Sequence, residues 1–352
     1  MKIEIEISDI ELFAKALNNA FIAYSDIVSC INVLGVEPQL STIRYVPLME
    51  LSAEELDARY NELKQVYLQV EEIERRVFMT REEKIMSRLR EHYEEALEYF
   101  DESRIVGIFL QGSQNYGLDY EGSDIDTKLI VLPSFEDIAF NKKPVSTTHV
   151  RANEEHIDFK DLRLYMQTFR KQNLNFLEIL FTEFKIVNPL YAEFWDILVA
   201  NREKIARYNK FQAIKSMKGI AMEKYHAMEH RYPAKAAIID KYGYDGKQVH
   251  HLIRVEDYIE RYIAGESYES CLKPTPSKVT HMMEYKRQEV PFEIGRVEAD
   301  AAIAHVIQMA DEYAATVENI GDSEVDKILD SVQRDMMRRA IAIEFMEDEV
   351  YD

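Results

Sequence analysis

Cysteine is almost missing from this chain. Its 352 residues include two, Cys30 and Cys271, far apart and without a CxxC pair. That argues against a disulfide framework or a thiolate zinc site and fits a reducing, cytosolic setting. Long hydrophobic runs are missing as well. No apolar stretch reaches roughly 18 residues, so no membrane span is predicted. The first residues, Met1 to Ile7, alternate apolar and charged side chains, which is a strand pattern rather than a secretory signal. There is no internal repeat and no low-complexity tract. Positive charge is scarce: 43 Lys and Arg stand against 64 Asp and Glu, a net charge of −21. A uniformly acidic surface repels phosphate backbones, which disfavours extended polynucleotide binding.

An ordinary apolar fraction of 47% is enough for a sizeable core. The charge is unevenly spread. Residues 201–261 hold 13 Lys and Arg against 8 Asp and Glu, and four of the nine histidines. A local excess of +5 in an acidic chain is either a solvated helix face or a wall facing a polyphosphate.

The pattern predicts an α+β protein in three parts. Residues 1–100 read as an N-terminal helical region. Ser8-Asp9 is a helix start, and capping-box signals stand at Ser52–Glu55 and Thr80–Glu83. Residues 101–188 change character and read as a small mixed sheet with helices. Ile105–Leu110, Lys128–Leu132 and Glu155–Lys160 are strand candidates, Pro133–Asn153 is a long loop with a weak helix near Phe135–Ala139, and Leu174–Phe181 is an apolar helix. Residues 189–352 read as a helical domain, with helix signals at 191–200, 209–229, 234–241, 247–264, 278–287, 294–320 and 324–345. Trp195 reads as core.

The chemistry concentrates between the first two strands. One strand runs into Gly112-Ser113-Gln114-Asn115-Tyr116-Gly117, and the next opens with Ser123-Asp124-Ile125-Asp126-Thr127-Lys128. On a strand, residues i and i+2 share a face, so Asp124 and Asp126 would present paired carboxylates. Like charges that close need a cation between them, and Mg²⁺ is the usual occupant. Asp158, on the following strand candidate, would join them if the strands are neighbours, and three carboxylates around Mg²⁺ suit in-line attack at phosphorus. Asp161 is the rival third carboxylate, although its place before an apolar helical run favours a helix cap. Gly112 and Ser113 would make a tight turn at a helix N-terminus, where backbone N–H groups bind phosphate. Lys247, His251 and Arg254, at i, i+4 and i+7, share one helix face; His250 points about 100° away. Lys215, Lys218 and Lys224 are weaker extensions of the same basic wall. Asn175 and Glu178 are expected to make buried hydrogen bonds, and Tyr116 either stacks or packs.

Gly-Ser, a spacer, Asp-x-Asp on a strand and a later carboxylate together resemble the DNA polymerase β-type nucleotidyltransferase superfamily. The longer likeness is to the phage and bacterial RNA-repair-pathway polymerase-β-like nucleotidyltransferases. It covers residues 104–187 best, including Asn173-Leu174-Asn175-Phe176-Leu177-Glu178-Ile179-Leu180-Phe181, and continues more weakly through Gly243–Lys247 and His250–Arg254. It leaves the first hundred residues largely uncovered. The resemblance implies a metal-dependent enzyme that moves a nucleoside monophosphate from an NTP to an acceptor hydroxyl and releases pyrophosphate. Asp124 and Asp126 would hold Mg²⁺ or Mn²⁺. Asp158 would hold a second ion and help deprotonate the acceptor. The Lys247, His251 and Arg254 helix would close over the triphosphate. An RNA end or tRNA is the favoured acceptor, with a protein side chain or a small molecule as alternatives. The setting would be a bacterial or phage-infected cytosol. The competing readings are protein nucleotidylylation and a catalytically silent nucleotide-binding or interaction protein.

Overall fold

The structure, a computed structural model, describes residues 80–120 and 123–351. The expectations for the N-terminal strand, the Ser8 helix and the Ser52 capping box lie outside the described residues. The chain divides at Lys84–Ile85 into two units, and every candidate site residue belongs to the second.

Helix α1 (Arg81–Ala96) starts at the Thr80 capping box. Thr80 N–H donates to Glu83 Oε2 at 2.8 Å, and Glu83 N–H donates to Thr80 Oγ1 at 3.2 Å. A mixed sheet follows, made of β1 (Ile105–Gln111), β2 (Asp126–Val131), β3 (Ser146–Val150), β4 (His156–Asp161) and β5 (Lys185–Val187). Its spatial order is β3-β4-β2-β1-β5. β2 runs parallel to β4, and the other neighbours are antiparallel. β1 is a nearly continuous apolar run, and β2 ends in one, Leu129-Ile130-Val131, because both sheet faces are covered there. A register shift between Ile105 and Gly107 resets the side-chain alternation, so Ile105 and Ile108 share a face.

On that face Ile105, Ile108, Leu129, Val131, Ile157 and Phe159 pack with Ala96 of α1. Lower on α1, His92 is fully buried between Thr127 Oγ1 at 2.9 Å and Glu155 Oε2 at 3.0 Å. The opposite face, with Phe109 and Ile130, meets the larger core. That core takes in α3 (Leu162–Arg170), the single turn α4 (Leu174–Leu177), α5 (Ala192–Ala200), α6 (Arg202–Ala206), α7 (Lys210–Ala227) and the helices beyond. Trp195 is buried there, 4.2 Å centroid to centroid from Phe109.

The helical half is completed by α8 (Ala236–Tyr242), α9 (Gly246–Ile263), α10 (Tyr268–Leu272), α11 (Pro276–Lys286), α12 (Phe292–Ala314) and α13 (Ser323–Tyr351). α9 is its axis: Leu252, Tyr258, Ile259 and Tyr262 are all buried. Gly246, at its start, is forced by packing, since a Cβ there would lie 2.2 Å from the Tyr285 carbonyl oxygen of α11. No helix among the described residues is long and apolar enough to cross a membrane.

Three local expectations need correction. Pro133–Asn153 contains, besides helix α2 (Phe135–Ala139), strand β3, whose Ser-Thr-Thr-His-Val sequence is polar because it is an exposed edge. β5 was also missed; three residues are too few to show alternation. Leu174–Phe181 is not one helix, since α4 tightens into a 3₁₀ turn at Glu178–Leu180.

Candidate active site

β1 ends at Gln111, and the chain turns through Gly112 at φ 85°, a conformation natural only to glycine. Ser113–Tyr116 form one 3₁₀ turn rather than the start of an α-helix. The Gly112 N–H donates to the Glu178 carboxyl instead of pointing at open solvent. Where a helix N-terminus was expected there is a 3₁₀ turn, anchored from below. Asn115 Nδ2 holds the Leu110 carbonyl at 2.9 Å, and Thr182 Oγ1 donates to Asn115 Oδ1 at 2.6 Å. Ser113 is half-buried within the turn.

Glu178 is buried, as expected, whereas Asn175 is exposed and makes no buried hydrogen bond. Burial pushes the Glu178 carboxyl up to about 8, against the opposing pull of Arg254 and the Gly112 N–H. A neutral Glu178 leaves the positive charge of Arg254 uncompensated. The Arg254 guanidinium lies 3.6 Å above the Tyr116 ring centroid, so Tyr116 both stacks and packs in the core. The guanidinium Nε and Nη2 are buried without a hydrogen-bond partner among the described residues. Unpaired buried donors are costly, and two on one guanidinium beside a glycine turn suit an anionic ligand.

Lys247, His251 and Arg254 all lie on α9, and Arg254 brings that helix against the turn. Lys247 is exposed. Burial, then the charges of His250, Arg254, Lys247 and Lys224, hold His251 well below the ordinary imidazole range, so it is a neutral group here. His250 is a core residue, with Nδ1 2.8 Å from the Met282 carbonyl. Lys286, at the end of α11, joins this wall. Its ammonium bonds the Leu118 carbonyl and lies 5.1 Å from the Tyr120 ring centroid. Burial first, then Lys247, lowers it to about 8, while Asp119 and Asp124 pull the other way. Lys218 is bound to Asp311 at 2.7 Å, and Lys215 lies over Phe211.

The carboxylates are arranged differently from expectation. Asp124 is exposed and precedes β2, which begins at Asp126, so the two do not share a strand. Asp126 is the register partner of Gln111 on β1. Its Oδ1 accepts from His156 N–H at 2.9 Å and lies 3.2 Å from His156 Nδ1, leaving Oδ2 without a donor among the described residues. β2 and β4 are neighbours, and Asp158 pairs in register with Lys128. The Lys128 ammonium bonds Gln111 Oε1 and lies 3.5 Å from Asp158 Oδ2. Thr148 Oγ1 donates to Asp158 Oδ1 at 2.6 Å. Asp161 caps α3 and pairs with Arg163 at 2.6 Å, which removes it as the rival.

Among the described residues, the donor atoms that all lie within 4.8 Å of one another belong to Glu256, Glu260 and His305, of which Glu260 already holds Lys278 at 2.7 Å. Asp124, Asp126 and Asp158 do not form such a set of three; Asp124 precedes β2, and an ammonium stands beside Asp158. The sequence reading missed Lys128, although it lies two residues from Asp126 and so on the same face. It also missed Lys286, which only tertiary packing brings in.

No protein-family model matches the chain, and no curated protein does. Among solved structures it is similar to a nucleotidyltransferase-like protein from Exiguobacterium sibiricum 255-15, at 10% identity and a TM-score of 0.26. That match covers 64% of this chain and 74% of the other. A likeness that slight says nothing of this chain's chemistry.

Proposed function

We propose that the chain is a nucleotidyltransferase that transfers a nucleoside monophosphate from an NTP to an acceptor hydroxyl. One observation carries the reading. The Gly112 turn lies between a carboxylate edge, with Asp126 paired to Gln111 beside it, and a cationic wall whose Arg254 stacks on the turn with two buried donors unpaired. A triphosphate needs the cations, and a reacting phosphoryl group needs the carboxylates and what they bind.

Asp124 and Asp126 fit a divalent ion: both are hard oxygen donors, one exposed and one half-exposed, and Asp126 Oδ2 has no donor among the described residues. Mg²⁺ or Mn²⁺ held there would neutralise charge on the phosphoryl oxygens. Arg254, Lys247 and Lys286 take the charge of the triphosphate and of the leaving pyrophosphate. The acceptor oxygen attacks the α-phosphorus, a new O–P bond forms, and the bond to the β-phosphate oxygen breaks. The acceptor's proton goes to Asp158, which is partly exposed on the same sheet face. An RNA end or tRNA in a bacterial or phage-infected cytosol is the acceptor we favour, because the net charge of −21 suits contact with an end better than with a long polynucleotide.

Incubation with Mg²⁺, each α-³²P-labelled NTP and total RNA or lysate tests this. Label in RNA supports the reading in full. Label in protein keeps the enzyme class and replaces the acceptor. Absence of label from every fraction leaves only a nucleotide-binding protein.

A further inference from the structure

We propose that Lys128 stands in for a second metal ion, so that the site binds a single divalent ion at Asp124 and Asp126, and Asp158 is not a ligand. This rests on the nucleotidyltransferase reading. Lys128 lies on the central strand and is 3% exposed. Its neighbours on the sheet face are set by register: Asp126 two residues earlier, Gln111 beside Asp126 on β1, and Asp158 directly across on β4. The ammonium bridges these strands, bonding Gln111 Oε1 on one side and lying 3.5 Å from Asp158 Oδ2 on the other. It therefore occupies the space beside Asp158 that a second ion would need.

Both Asp158 oxygens already have donors, Lys128 at Oδ2 and Thr148 at Oδ1. Lys128 also lies 4.7 Å from the Phe176 ring centroid, and Lys160, two residues beyond Asp158, lies 3.9 Å from the same ring. The aromatic ring and the buried stem hold the amine in place. The strand face thus carries Lys128 and Lys160 against Asp126 and Asp158, a balanced set. A second divalent ion beside Asp158 would enter against two positive charges, whereas exposed Asp124, which precedes β2, adds a carboxylate outside that set next to Asp126. In the reaction Asp158 accepts the acceptor's proton, and Lys128 offsets the negative charge on the attacking oxygen while the O–P bond forms and the bond to pyrophosphate breaks.

The test counts Mn²⁺ bound per chain by electron paramagnetic resonance, with saturating α,β-methylene analogues of the four NTPs. The proposal expects one Mn²⁺ in the wild-type complex and a second in Lys128→Met. It also expects Asp158→Asn to bind Mn²⁺ with an affinity within about threefold of wild type, because losing even an outer-sphere partner of a metal typically costs about ten-fold or more, and losing a ligand costs no less. Lys128→Arg, which keeps the charge, should still bind one ion and covers the case in which Lys128→Met does not fold. Two ions in the wild type, one ion in a folded Lys128→Met, or a ten-fold loss of affinity in Asp158→Asn overturns the proposal but leaves nucleotide transfer standing. No binding of any analogue overturns both.

Discussion

Glu178→Gln should make the protein more stable at neutral pH, and the size of the gain should depend on pH. Glu178 is 6% exposed beneath the Gly112 turn, and burial raises its carboxyl from 4.5 to about 8. Between those values the folded chain holds a proton that the unfolded chain releases. Stability therefore falls as pH rises through the window and levels off above about 8. pH 7 lies roughly 2.5 units above the unfolded value of 4.5 and below the folded value of about 8. At about 1.4 kcal/mol per unit, keeping it buried costs on the order of 3 kcal/mol. Glutamine retains an oxygen to accept from the Gly112 N–H and carries no proton to lose. The variant should match the wild type near pH 4.5 and exceed it by on the order of 3 kcal/mol at pH 7. Urea denaturation read by the fluorescence of the single, buried Trp195 provides the assay. Parallel stability curves for the two proteins across this range would refute the claim that Glu178 is held neutral.

Acid should act in the opposite sense through Glu155. Burial raises this carboxyl, but hydrogen bonds from His92 and Asn153 and the charge of Arg88 outweigh it and hold it at about 2. The stability it supplies is complete above about 4.5 and is lost as pH falls toward 2; Glu155→Gln should remove that slope, worth on the order of 3 kcal/mol, and an unchanged acid limb would contradict it. Gly246→Ala should lower stability by about 2–3 kcal/mol or more, since the methyl group meets the Tyr285 carbonyl at 2.2 Å, and an unchanged denaturation midpoint would mean that α9 and α11 separate freely. Lys247→Ala should raise the KM for NTP about ten-fold with little change in kcat, as expected for an exposed charge that meets phosphate in ground and transition states alike. An unchanged KM would place that end of α9 away from the triphosphate.

Much of this was legible in the sequence because it is local. The apolar runs gave β1 and β2, period-two alternation gave β4, and 3.6-residue periodicity gave the long helices from α5 to α13. Asp161 followed from its position before an apolar run, and it does cap α3. What failed depends on tertiary context. β3 is an edge with no buried face to impose alternation. The Gly112 turn was recognised, but its N–H group goes to Glu178, sixty-six residues on, and no spacing rule supplies that. The expectation of three converging carboxylates considered the acids alone. Lys128 belongs to the same Asp-x-Asp motif, yet its ammonium shares the carboxylates' face, and counting charges of both signs there would have placed it beside Asp158.

The central claim is that the α-phosphoryl group, with its nucleoside, moves to the acceptor. The most direct measurement compares α-³²P-labelled and γ-³²P-labelled NTP in parallel with the wild type and with Asp126→Ala. The account predicts acceptor labelling from the α position, release of the γ label as pyrophosphate, and neither in the variant. Acceptor labelling from the γ position, or undiminished transfer by Asp126→Ala, would contradict it.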